Sequence, residues 1–257
     1  MNLAFENFIQ KLFHTLGFDI RRRKSTQGLR STIAQSYALI RDLGFKPETV
    51  IDVGVASGTE ELYENFPEAV FLLVEPVKAF EPFMKSVLKK YKGEYLLAAA
   101  GPRAGEVTFH VRENHPDSSS LYKERESVQA KESAVTVPMI RLDDAVQEKS
   151  LKGPFLIKVD VQGAEIDVLE GGAGVVQKAE VVVLEISLFE FMEGQPQFYD
   201  VVHYMKERGF VAFDIVLGWN RPLDNALGQI DIVFVKENGF FRKSHCYATS
   251  GQMKKLF

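Results

Sequence analysis

The residues best suited to chemistry gather in a few short segments. "VIDVGVASGTEEL", Val50 to Leu62, places Asp52 just before a turn carrying Gly54, Ser57 and Gly58. "FLLVEP" ends on Glu75 and Pro76, and "LIKVDVQGAEIDVLEGG" carries Lys158, Asp160, Gln162 and Glu165. A dinucleotide fold offers G-x-G-x-x-G so that backbone closes on a pyrophosphate at a helix start. The turn here sets Gly54 and Gly58 four apart and has no following Lys with Ser or Thr, so phosphate cradling is poorly supported. Nor is it a nucleophile elbow, because Ser57 stands directly before the second glycine instead of midway in G-x-S-x-G.

A ligand without a phosphate anchor fits better, pressed on backbone at the glycines and oriented by carboxylates. Asp52 closes one strand and Glu75 the next, where an acidic side chain accepts both hydroxyls of a ribose. An acidic site also tolerates a sulfonium cation, and S-adenosylmethionine makes both demands. Singly, an Asp before a glycine turn is often a turn former and a Glu at a strand end a solvated cap; in register they favour the cofactor. Asp160 ends a later strand and Glu185 nearly ends the one after, so both project over the cleft of an open sheet. Methyl transfer to an alcohol is an in-line displacement that needs alignment and one base, and Asp160 is the first choice. Lys158 either points away from Asp160 or pairs with a carboxylate inside the sheet edge. Glu165 opens a helix, where the dipole stabilises an anion, and its plainest role is to anchor the loop. For these four, organising the cleft and acting directly in catalysis stand level. Asp160 and Glu185 alone are too few oxygen ligands to define a divalent metal site, which stays unsupported.

The elements that must position these groups follow from periodicity. Apolar runs at Val50–Val53, Val70–Val74, Tyr95–Ala99, Phe155–Val159 and Val181–Ile186 predict strands buried on both faces. Helical spacing recurs from Phe80 to Tyr91 and from Phe198 to Met205, a first helix runs from a Ser31 cap to Gly44, and another stops at Gly171-Gly172. This βαβα order predicts an α/β fold, a doubly wound, mostly parallel sheet. "GEVTFHV" and "VTVPMIRL" have no evident helix near them and predict a small inserted β segment at about 105–140. "FVAFDIV" and "IDIVFVK" predict a closing antiparallel pair. Such a sheet resembles the Rossmann-like class I methyltransferase architecture, with an antiparallel C-terminal strand and N-terminal helices. The expected divisions are an N-terminal helical extension at 1–45, the main domain at 46–240 and a C-terminal tail at 241–257.

Composition narrows the partners. The 257 residues are 46% hydrophobic, and 31 Lys and Arg against 35 Asp and Glu give a net charge of -4, so no basic field exists to draw nucleic acid. A small-molecule acceptor is expected. The single Cys246 and the scattered histidines argue against disulfides and zinc clusters and for a reducing, cytoplasmic compartment. "MNLAFENFIQKLFHTLGFDI" is amphipathic, and its basic cluster Arg21 to Lys24 follows the apolar part, unlike a signal peptide. No run is long enough to span a bilayer, and the apolar face predicts packing on the domain or, as a homo-oligomer contact, on a second copy.

"IDVGVASG", "VEP", "RLDD" and "LIKVDVQGAEIDVLEGG", in this order, resemble the FkbM-type methyltransferases. Lys158, Asp160, Gly163, Ala164 and Glu165 fall on the family's K-[IV]-D-V-E-G-A-E pattern, and Ser119-Ser120-Leu121 on a serine-rich element before L-D-D. The resemblance implies methyl transfer from S-adenosylmethionine, typically to hydroxyls of sugars and secondary metabolites. Strand ends and resemblance together give Asp52, Gly54, Ser57, Gly58, Glu75, Pro76, Ala99 and Asp160 as cofactor contacts. They give Ser119, Ser120, Gln162 and Glu165 as acceptor contacts, and Asp160, Glu185 and Lys158 as catalytic groups. The chain departs from the pattern with Ala56 at an Asn position, Gln162 at a Glu position and Arg141 at a Thr position. A methyltransferase-like binding module without catalysis is the alternative, and a nicotinamide-dependent oxidoreductase, lacking its glycine fingerprint, a weaker one.

Overall fold

The computed structural model describes residues 30–125 and 132–256, so the amphipathic N-terminal segment and its basic cluster lie outside the described residues. The fold proper starts at Thr32. Strands β1 (Thr49–Val53), β2 (Val70–Val74), β3 (Gly93–Leu96), β4 (Ala99–Ala100), β5 (Gly105–Arg112), β6 (Glu132–Ile140), β7 (Phe155–Val159), β8 (Ala179–Ser187), β9 (Phe210–Leu217) and β10 (Gln229–Lys236) follow one another along the chain. Between and around them lie helices α1 (Ile33–Asp42), α2 (Glu60–Asn65), α3 (Glu81–Lys90), α4 (Leu142–Glu148), α5 (Glu165–Gly171), α6 (Ala173–Lys178), α7 (Phe198–Glu207) and α8 (Ser250–Leu256).

The main sheet has the order β3-β2-β1-β7-β8-β10-β9. Its pairs are parallel except at β10, which runs antiparallel to both β8 and β9. All five residues of β1 and of β7 are buried, which is what a strand covered by helices on both faces requires of its sequence. On one face Ile51, Val53, Ile157 and Val159 pack with Val168, Val175 and Met205. On the other, Val50, Leu156 and Val183 pack with Tyr37, Ile40, Leu62 and Met84, so α1 is part of the core. Strand order reverses between β1 and β7, and their carboxyl ends open the crevice where such sheets bind ligands.

The inserted segment is a separate three-stranded sheet, β4-β6-β5, with β5 and β6 antiparallel as expected. Three local expectations need correction. The strand read as Tyr95–Ala99 starts at Gly93 and stops at Leu96, because Ala99 leaves the main sheet to pair with Met139 of β6. Helix α1 takes Thr32, not Ser31, as its cap residue. The stretch after "RLDD" is helical, and Asp143 there accepts N–H bonds from Gly174 (3.1 Å) and Val175 (2.9 Å), so it caps the neighbouring α6. A Cβ at Gly171 would lie 1.9 Å from the Gly101 carbonyl oxygen, which explains the paired glycines between α5 and α6 as a close backbone crossing. Among the described residues no helix is long and apolar enough to cross a membrane.

Candidate active site

The glycine turn after β1 is positioned by its neighbours on both sides. Gly54 donates its N–H to Val74 (2.9 Å), and at φ +77° a Cβ there would sit 1.7 Å from the Asp160 carbonyl oxygen. Only glycine lets the turn cross the end of β7 and bring Asp160 alongside it. Glu75 is buried and accepts N–H bonds from Ala56 (3.0 Å) and Val77 (2.8 Å), so it holds the turn as well as facing the cleft. Burial raises its pKa, and the two N–H bonds and Lys158 oppose the rise. Each carboxylate oxygen keeps a second lone pair for a ligand. Ala56 has φ +44°, a conformation that Asn, the family's residue here, adopts more readily than Ala.

Beneath the turn runs a row of acids with one cation. Lys158 Nζ lies 3.3 Å from Asp160, 3.3 Å from the Gly54 carbonyl and 3.5 Å from Asp52. Two-residue spacing along β7 puts Lys158 on the same face as Asp160, so the lysine pairs with carboxylates inside the edge. Burial works against its charge, yet Asp52 and Asp160 outweigh burial and hold its pKa well above the usual lysine range. Asp52 needs correction as a cofactor contact. It shares a sheet face with Val50, is wholly buried, takes a 2.6 Å hydrogen bond from the Tyr63 hydroxyl and does not line the cleft. Its role is to hold Lys158 and α2.

Gln162, in left-handed backbone at φ +57°, joins the two strand-end acids. Its amide nitrogen donates to Asp160 (3.1 Å) and Glu185 (2.7 Å), while its amide oxygen accepts from Gln229 (3.3 Å), which also donates to Ser187 (3.2 Å). Where the family has a third acid, this chain has a donor that bridges two. Burial first, then the charge of Asp160, pushes the Glu185 carboxyl up to about 10, so it keeps its proton at neutral pH. Asp231, opposite Glu185 in the β8–β10 register, is pushed up to about 6 by burial.

These shifts set a pH dependence of known sign. A carboxyl with a raised folded pKa contributes stability that is complete below its ordinary range and is lost as pH rises through the folded value. For Glu185 that window runs from 4.5 to about 10. The urea midpoint of the wild type is therefore expected to fall between about pH 6 and about pH 9, and to fall less in Glu185→Gln. Parallel slopes in the two proteins would show that Glu185 is not the buried proton carrier.

Of the expected acceptor contacts, Gln162 and Ser119 line the cleft, and Ser120 and Glu165 do not. The Ser120 hydroxyl donates to the Gln162 carbonyl (2.8 Å) and accepts from the Tyr122 N–H (3.0 Å), tying the inserted sheet to the Asp160 loop. Ser119 accepts the Arg112 N–H (3.2 Å). Glu165 is buried beneath the same loop, accepts from Gly163 (2.9 Å) and Val161 (3.4 Å), and is pushed up to about 7 by burial, so it anchors the loop. Gly54, Ser57, Gly58, Glu75, Pro76, Ala99, Lys158, Asp160 and Glu185 all line one cleft of about 1470 Å³. That exceeds the roughly 300–1,000 Å³ of a single-ligand pocket and leaves room for a second molecule. The far wall comes from Arg112, Arg125, Phe191 and Trp219, none of which sequence spacing singled out. Among the described residues no group of three or more His, Cys, Asp or Glu is placed to hold a metal ion.

The strand order, with its single reversed strand and glycine turn at the switch point, defines a class I methyltransferase. The model of the methyltransferase FkbM domain matches residues 52–212, and the chain belongs to this family. A curated relative, the 2-O-methyltransferase NoeI of Sinorhizobium fredii (strain NBRC 101917 / NGR234), is 27% identical over 196 residues, 68% of this chain and 79% of that protein. Among solved structures, magnesium protoporphyrin IX methyltransferase of Synechocystis PCC 6803 with bound SAM aligns at TM-score 0.43 and 11% identity, over 92% of this chain and 100% of the other. An O-methyltransferase from Bacillus cereus in complex with SAH aligns at TM-score 0.43 and 11% identity, over 92% of each chain. Family and fold make this chain an S-adenosylmethionine-dependent methyltransferase. The donor set fits that cofactor: an open glycine turn, a buried strand-end carboxylate with lone pairs to spare and, among the described residues, a facing lysine already paired with carboxylates.

Proposed function

We propose that the chain is an O-methyltransferase acting on a hydroxyl of a small molecule, a sugar or a glycolipid, in a cytoplasmic setting. One observation carries this reading. Asp160 is an acid of the buried row whose side chain stays 31% exposed, and it opens into the cleft beside the turn that would hold the cofactor. When bound, S-adenosylmethionine supplies an electrophilic methyl group; transfer forms an oxygen–carbon bond, breaks the sulfur–carbon bond and leaves a thioether.

The chain's own residues do the rest. Glu75 and the backbone from Gly54 to Gly58, which line the cleft, would hold the ribose end of the cofactor. Lys158 pairs with Asp160 at 3.3 Å, and the Gln162 amide aims it. Glu185 retains its proton and so adds no second charge next to the base. Asp160 then takes the proton of the acceptor hydroxyl and returns it to solvent at the open mouth of the cleft.

Calorimetric titration tests the reading. Both S-adenosylmethionine and S-adenosylhomocysteine are expected to bind, NAD is not, and Glu75→Ala is expected to weaken the adenosyl ligands by about tenfold or more, about 1.4 kcal/mol. A preference for NAD, or no binding by a folded protein, would overturn the proposal.

A further inference from the structure

Beyond residue 212, where the family match ends, the chain builds one more wall of the cleft. The connection from β9 to β10 continues the antiparallel ladder. Gly218 N–H donates to Gln229 (3.1 Å), Gly228 N–H to Trp219 (2.8 Å) and Arg221 N–H to Ala226 (2.8 Å), and Asn220 pairs with Leu227. Asp224 closes the tip by accepting two bonds from the Arg221 guanidinium (2.8 and 2.6 Å) and one from the Ala226 N–H (3.0 Å). A hairpin bonded at this density is a stiff finger.

The finger presents Trp219 to the cleft. The indole is stacked on Phe191 at 5.8 Å and 20°, yet stays 46% exposed. A Cβ at Gly228 would meet the ring at 3.0 Å, so that glycine is what lets it lie there. A half-exposed indole on a rigid support forgoes the burial its large apolar surface would gain. The chain has one tryptophan, and it lines the same cleft as Asp160. The guanidinium groups beside it are each matched to a carboxylate: Arg112 to Glu124, Arg125 to Glu190 and Arg221 to Asp224. Among the described residues such a rim offers fixed donors and acceptors but no spare guanidinium for an anion.

We propose that Trp219 is the acceptor platform and that it takes an uncharged ring bearing several hydroxyls, a glycosyl ring in chemical class. Its C–H face lies on the indole while its hydroxyls exchange hydrogen bonds with the paired arginines and carboxylates. A plain hydrocarbon ring would leave the rim unused. A phosphorylated or carboxylated sugar would meet Glu124, Glu190 and Asp160 with no free cation among the described lining residues to compensate. The proposal rests on the methyltransferase reading and adds to it the site and charge of the acceptor.

The single indole makes the test direct, since its emission reports on this wall without a label. Protein saturated with S-adenosylhomocysteine is titrated with neutral methyl glycosides of hexoses, deoxyhexoses and their disaccharides, with cyclohexanol, glucose 6-phosphate and glucuronate as counter-probes. A neutral glycoside is expected to shift or quench the emission saturably and more tightly than the counter-probes. With that glycoside as methyl acceptor, Trp219→Ala is expected to raise KM by about tenfold while kcat changes less than about threefold, and Trp219→Phe to restore most of the loss. S-adenosylhomocysteine affinity, measured by calorimetry, should be equal in all three proteins. Preference for a charged probe, silence of the whole neutral panel in protein that binds S-adenosylhomocysteine, or a KM unmoved by Trp219→Ala overturns the proposal. Failure of S-adenosylhomocysteine to bind is a different result, and it would remove the methyltransferase reading along with this one.

Discussion

Asp160→Asn is expected to lower kcat by about 100- to 10,000-fold, the range a positioned general base contributes, while the acceptor KM stays within about threefold. Asparagine keeps the volume and can still accept from Lys158, so the Gly54 turn, crossed by the Asp160 backbone, should hold its shape. What it loses is the ability to take a proton. The measurement is release of S-adenosylhomocysteine in a single turnover, beside calorimetric binding of the same ligand. An Asn variant that binds the cofactor and turns over at the normal rate would show that Asp160 organises the cleft and does no more. Glu185 is the weaker candidate for the base because its carboxyl is pushed up to about 10 and enters turnover already protonated.

The second large effect belongs to stability. Lys158→Met should cost about 3–5 kcal/mol, the usual result of leaving a buried charge without its partner. For a chain of this length that is roughly 6–20 °C in Tm at about 2–4 °C per kcal/mol. Asp52 is fully buried, and without the lysine its carboxylate keeps only the Tyr63 hydroxyl. The companion Asp52→Asn removes the stranded charge while leaving an acceptor for Tyr63. The double variant should therefore be more stable than Lys158→Met alone, and the coupling read from the cycle should exceed about 1 kcal/mol. A loss under about 1 kcal/mol in urea for Lys158→Met, or no recovery in the double variant, would mean that the ion pairs at 3.3 and 3.5 Å are not what holds this edge together.

The strands that line the switch point were legible from their residues for a plain reason. A strand buried on both faces has no polar positions, so "TVIDV" and "FLIKV" stand out as apolar runs whose Asp and Lys are exceptions that demand partners. The same logic placed Glu75 and Asp160 at strand ends, and the paired C-terminal strands followed from the absence of a helix between them. Helix α4 was missed because its seven residues are too short for a period to show. Strand β3 was misplaced because "YLLAAA" is apolar across a point where the chain passes from one sheet to another.

By itself, the sequence determined the α/β architecture, the glycine turn that excludes a phosphate cradle, and which acids stand at the edge. These are local properties, set by periodicity and by the φ a residue tolerates. Only the tertiary structure decided what those acids do. Asp52 turns inward because helices cover its face of β1, and Glu75 is bonded to the very turn it stands opposite. Gln162 becomes a bridge between two carboxylates on neighbouring strands, and Trp219 shares a cleft with Asp160 although three helices, β8 and β9 separate them along the chain. Contacts of this kind depend on which strands pair and in what register, and no spacing along one chain encodes them until the sheet has closed.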